Sequence, residues 1–153
     1  MKKPLVLFVV GIAAAFVVSQ SYSAEKFKGP PHGGTSVQIG NHGFHLELVR
    51  DAEKSRLQAY VLDAHMQGYV SVPEKSFVML ATISNQQQRV MFNRVPEPGS
   101  EKLAEASHTF EGSADWIKQA TNFNAAFASI TLKGRTFTNV TFSFPKGSMH
   151  RAH

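Results

Sequence analysis

Between Gly43 and His65 the chain reads GFHLELVRDAEKSRLQAYVLDAH, and the reading of this stretch decides the fold class. Phe44, Leu46 and Leu48 alternate with His45 and Glu47, the period-two pattern of a strand with one face against a core. Residues 51–55 form a polar turn, and residues 56–63 return as a second strand. His32, His42, His45 and His65, four of the chain's seven histidines, lie in or beside this stretch, with the carboxylates Glu47 and Asp63 among them. Side chains with metal-ligand chemistry are thus interleaved with core residues on a rigid element.

Toward the N-terminus, residues 24–34 read as an extended lead-in, because Gly29-Pro30-Pro31 is incompatible with a helix. A strand is expected at 35–39, and Gly40-Asn41-His42-Gly43 is a turn signature before the strand at 44–50. Toward the C-terminus, strands are expected at 76–84, 89–95, 107–111, 127–132 and 136–144. Asn85 to Gln88 supplies a polar hairpin tip, Lys133-Gly134 a hairpin turn, and Pro96 to Ser100 an open loop. Ser113 as a cap, acidic Asp115 and the spacing of Trp116, Ile117 and Ala120 admit one short helix at 113–121. Seven or eight short strands at intervals of roughly ten residues imply an all-β, antiparallel β-sandwich or small barrel. Residues 35–145 make a single domain, followed by a flexible tail at 146–153.

Met1-Lys2-Lys3 followed by an apolar run over 5–18, shorter than the ~20 residues of a membrane span, reads as a secretory signal peptide at 1–23. Its removal leaves roughly 130 residues, enough for one domain with a real core and no further membrane span. The expected location is the periplasm or the exterior. Loss of Lys2 and Lys3 lowers the formal charge from +5 to +3. The remaining basic residues are scattered, so a nucleic-acid partner is not expected. The chain has no cysteine, which removes thiolate zinc sites and thiol catalysis and leaves imidazole, carboxylate and thioether as ligands. No Gly-x-Ser-x-Gly, His-Glu-x-x-His or phosphate loop is present, so neither an enzyme nor an organic cofactor is expected.

If the turn at 51–55 sets Arg50 opposite Arg56, His45 faces Val61 and Glu47 faces Ala59. Asp63 then lies diagonal to His45 on the same face, about 7–8 Å away, and His65 continues that face. His32 enters from the lead-in, where Gly33-Gly34 permits close backbone approach. The candidate metal set is His32, His45, Glu47, Asp63 and His65, a donor mix that suits zinc, copper(II) or nickel. Glu47 or Asp63 can instead hold the far ring nitrogen of a ligating histidine. Each residue also has a plainer reading. His32 suits a solvated loop, His45 a core histidine, Glu47 a partner of Arg50 or Arg56, and Asp63 with His65 a turn. His42 reads as a solvated turn residue, and His108 is isolated. Met66, Met79 and Met91 read as core filler, and Met149-His150-Arg-Ala-His153 as a disordered tail.

Pro31-His32-Gly33-Gly34, the strand Phe44-His45-Leu46-Glu47-Leu48-Val49 and Ala59-Tyr60-Val61-Leu62-Asp63-Ala64-His65 resemble a small periplasmic β-domain of heavy-metal efflux. The likeness is to the histidine-containing metal-binding accessory domain of periplasmic adaptor proteins in cation-exporting pumps. It covers roughly the first third of the mature chain. The resemblance implies a metal-binding β-domain with His32, His45 and Glu47 as matched positions and an efflux component of the envelope as partner. The chain lacks an adaptor's long helical hairpin and lipoyl-like segment, which implies a stand-alone module. The expected function is an exported transition-metal buffer, chaperone or sensor. The alternative is a metal-free β-sandwich that docks on an envelope protein through a strand edge.

Overall fold

The computed structural model describes residues 29–41, 43–96 and 105–148. The expected signal peptide, most of the loop after Pro96, His42 and the tail from Met149 lie outside them. Eight strands follow in chain order: β1 (Thr35–Ile39), β2 (Phe44–Asp51), β3 (Arg56–Leu62), β4 (Ser76–Ile83), β5 (Gln86–Arg94), β6 (Thr109–Ser113), β7 (Phe123–Leu132) and β8 (Arg135–Phe144). All pair antiparallel in one sheet of order β1-β2-β3-β6-β5-β4-β7-β8. The sheet curls until its two outer strands approach each other, so the all-β expectation resolves to a nearly closed barrel. The helical expectation reduces to a single turn, Asp115–Lys118.

Alternation places the core. Val37, Ile39, Phe44, Leu46, Leu48, Leu57, Ala59 and Val61 point inward from β1 to β3. They meet Phe77, Met79, Phe92, Phe110 and Phe127 from the other wall. Aromatic rings fill the centre: Phe77 stacks on Phe92 with centroids 5.1 Å apart and touches Phe110 and Phe127 at 4.9 and 5.7 Å. Inward parity on β7 switches between Phe127 and Ile130, where Ala128 and Asn139 are left unpaired within an unchanged register and Asn139 takes φ 54°.

Hairpin tips follow turn chemistry. Lys133 and Gly134 have φ of 50° and 70°, and Ser84 and Asn85 have 49° and 64°, the doubly positive pattern that matches strand twist. The second tip is therefore shorter than the expected four residues, and β5 begins at Gln86. The start of the expected tail is tied down. Ser148 N–H donates to the Ser36 carbonyl at 3.2 Å, and Gln38 N–H donates to Ser148 Oγ at 3.0 Å. Residues 145–148 thereby bridge the end of β8 to β1.

Candidate functional site

The β2–β3 register differs by one residue from the expected one. Asp51, not Arg50, stands opposite Arg56; His45 faces Leu62 and Glu47 faces Tyr60. Core alternation requires it: Leu46 and Leu48 share the inner face with Val61 and Ala59 only in this pairing. Arg56 bridges Asp51 at 3.1 Å and Glu111 on β6 at 2.5 Å, contacts this pairing permits, and Ser55 turns the chain with φ 51°. Arg50 donates to the carbonyls of Ile117 and Lys118, both at 2.7 Å. Both arginines are thus engaged away from Glu47. The slip also removes Asp63 from the face of His45.

The outer face of β2 is covered, because the lead-in at 30–34 lies across it. Gly34 makes this possible: a Cβ there would stand 2.6 Å from the Leu48 carbonyl oxygen and 2.9 Å from Glu47 Cγ. Beneath the strap, Glu47 is fully buried. Its Oε1 accepts the backbone N–H groups of His32 at 2.7 Å and Gly34 at 2.9 Å, and its Oε2 stands 2.9 Å from His32 Nδ1. A buried carboxylate is tolerable only with its lone pairs used, and three donors use them here. Donation from Nδ1 leaves Nε2 of the neutral ring with the lone pair.

Aromatic rings hold the His32 imidazole from the sides. It stacks on Tyr60 with centroids 4.0 Å apart and planes 18° apart. Tyr69 leans against it at 6.0 Å, with the Tyr69 hydroxyl 3.4 Å from His32 Nε2. Tyr69 stacks in turn on His108 at 4.6 Å. Burial, then the charge of Glu47, then Tyr69 push the Tyr60 phenol above its ordinary value, so Tyr60 stays neutral at physiological pH.

Of the expected metal set, the structure brings together His32 and Glu47. His45 Nδ1 instead lies 3.0 Å from Ser36 Oγ, and the same hydroxyl donates to Met66 Sδ at 3.1 Å. Ser36 sits opposite Glu47 across β1 and β2, so this second locus adjoins the first. Asp63 organises the following turn: Oδ1 accepts the N–H groups of His65 and Gln67 at 2.9 and 3.0 Å. Burial raises its pKa, but those N–H groups and the His65 charge outweigh it, and the net shift is downward. His65 is exposed. Among the described residues, no three or more His, Asp or Glu side chains are grouped to hold a metal ion.

Tyr60, Tyr69 and His108 were not among the expected site residues. Tyr60 is placed by the true register alone. Tyr69 arrives because the chain folds back to pair with Leu62, and His108 because β6 joins β3 from 50 residues away. The chain matches no family model, and no curated protein or solved structure is significantly similar to it.

The strap gives a direct test. Gly34→Ala is expected to lower stability by about 1–3 kcal/mol, the usual cost of forcing atoms into a packed site, and to displace His32 from Glu47. Urea unfolding together with the His32 ring resonances reads both effects. A variant as stable as the parent would mean that the lead-in is not seated on the barrel.

Proposed function

We propose that this barrel is an exported transition-metal-binding module, a buffer, chaperone or sensor, with His32 Nε2 as its primary ligand. The observation that carries the reading is the His32–Glu47 pair. A ligating histidine generally has its other ring nitrogen held by a carboxylate, which fixes the tautomer and raises basicity. The 2.9 Å contact at Nδ1 supplies that arrangement, and the 36 % exposure of the His32 side chain leaves the ring accessible. Imidazole and carboxylate chemistry suits zinc, copper(II) and nickel. One fixed ligand with other positions left to solvent or a partner suits capture and hand-over more than permanent burial. The link to heavy-metal efflux rests on the sequence resemblance.

The test is calorimetric titration of the exported, tag-free protein with zinc, copper(II) and nickel. The expected result is one-to-one binding that weakens at least tenfold in His32→Gln and disappears as pH falls through the imidazole range. Binding that is weak, multi-site and abolished by truncation after Ser148 would remove the metal role from the barrel.

A second reading, a metal-free module that docks on an envelope protein, is supported by Tyr69. This ring is 47 % exposed and lies between the imidazoles of His32 and His108. Tyrosine presented in this way is favoured at binding hot spots.

A further inference from the structure

Met66 does not behave as core filler. Met79 is fully buried among apolar residues, whereas Met66 is half-buried on the outer face and its sulfur receives a hydrogen bond from Ser36 Oγ. Its backbone is held at φ 56°, an uncommon conformation for a residue with a side chain. The turn that holds it is built by Asp63: the Asp63 carbonyl accepts Met66 N–H at 3.1 Å, and Asp63 N–H donates to the Gly68 carbonyl at 2.9 Å.

The same hydroxyl stands between a nitrogen and a sulfur. His45 Nδ1 is 3.0 Å from Ser36 Oγ and Met66 Sδ 3.1 Å, so nitrogen and sulfur lie no more than about 6 Å apart by the geometry of two ordinary hydrogen bonds. A hydroxyl has one proton: given to the Met66 thioether, a weak acceptor, it leaves Ser36 Oγ to accept from His45 Nδ1–H. Thioether sulfur is a good ligand for soft monovalent ions, and imidazole is a compatible second ligand.

We propose that His45 and Met66 form a soft-metal site for a monovalent ion of the copper(I) or silver(I) type. The ion bridges nitrogen and sulfur where the Ser36 hydroxyl now mediates between them. This rests on the metal-binding reading above and extends it to a second ion class at a distinct pair of ligands. No oxidation or reduction is part of the step: the imidazole proton moves from Nδ1 to Nε2, the cation binds the freed Nδ1 lone pair and a lone pair of Met66 Sδ, and the Ser36 proton stays on its oxygen.

The test is titration of the exported, tag-free protein with silver(I), which does not change oxidation state, and anaerobically with copper(I) against a chromophoric chelator. Met66→Leu keeps the bulk and removes the sulfur. It is expected to weaken silver(I) and copper(I) binding at least tenfold and to leave zinc affinity unchanged, with His45→Gln weakening the same ions. Met91→Leu, an exposed methionine, is expected to leave silver(I) binding as it was. In the parent protein, silver(I) must shift the Met66 methyl resonance, a readout independent of how any variant folds. Silver(I) affinity unchanged in a folded Met66→Leu, or a Met66 methyl that does not move, overturns the proposal. If zinc binds at His32 and silver(I) does not bind, the soft site fails and the first reading stands. If neither ion binds, both fail.

Discussion

Glu47→Ala is expected to destabilise the protein by about 2–4 kcal/mol, below the 3–5 kcal/mol typical of breaking a fully buried ion pair. The reduction has a structural reason. Three donors lose their acceptor, but two belong to the His32 residue, whose side chain is 36 % exposed and can rehydrate as the strap lifts. The loss is therefore bounded by the docking energy of residues 30–34. Glu47→Gln separates stability from site chemistry. The glutamine oxygen still accepts the His32 and Gly34 backbone N–H groups, so the cost falls to about 1 kcal/mol, the worth of one hydrogen bond. Its NH2 group, however, meets Nδ1. The ring answers by accepting there and moving its proton to Nε2, the nitrogen proposed to bind the ion. Nitrogen chemical shifts of His32 read the tautomer, urea unfolding reads the stability, and calorimetry reads the ion. Glu47→Ala within 0.5 kcal/mol of the parent, well under one hydrogen bond, would show that the strap is not anchored by this carboxylate.

The legible part of the fold was what local chemistry controls. Alternation around Phe44, Leu46 and Leu48 marked a strand with a buried face, and Lys133-Gly134 marked a turn that needs two positive φ values. The β2–β3 parity was legible as well: Leu46 and Leu48 share the core face with Val61 and Ala59 only if they stand opposite them, so a register counted from the turn alone, with Arg50 opposite Arg56, contradicts the two alternations. The one-residue difference decides whether Glu47 faces Ala59 or Tyr60. The pairing of His45 and Glu47 on one face was legible. Their separate fates were not, since these depend on which distant segment covers each. Residues 30–34 close over Glu47, and the turn built by Asp63 brings Met66 toward His45 through Ser36. Tyr69 and His108 join the site through pairings between strands far apart in sequence, which no local pattern encodes.

Phe110→Ala is expected to cost about 3–5 kcal/mol, the range for removing a buried phenylalanine ring. The upper half of that range is the better expectation. Phe110 is fully buried and its ring packs 4.9 Å from Phe77, whose own stacking on Phe92 and edge contact with Phe127 span the opposite wall. Collapse into the vacated space is opposed on the β5 side, where Gly112 already brings β6 so close that a Cβ would stand 2.7 Å from Val90. The ring also sits on a five-residue strand that is the sheet's sole link between β3 and β5 among the described residues, with only two pairs to β5. A domain of this size loses roughly 4 °C of melting temperature per kcal/mol, so calorimetry should show a fall of about 12–20 °C, large against a total stability of about 5–15 kcal/mol. The same variant tests how the site is divided. His108 lies two residues from Phe110 and should loosen with it, whereas the His32–Glu47 pair is held by β2 and the strap. Zinc affinity below the new melting point is therefore expected to stay within a few-fold of the parent. If it collapsed together with stability, the pair would depend on the whole barrel and not on the local contacts that define it.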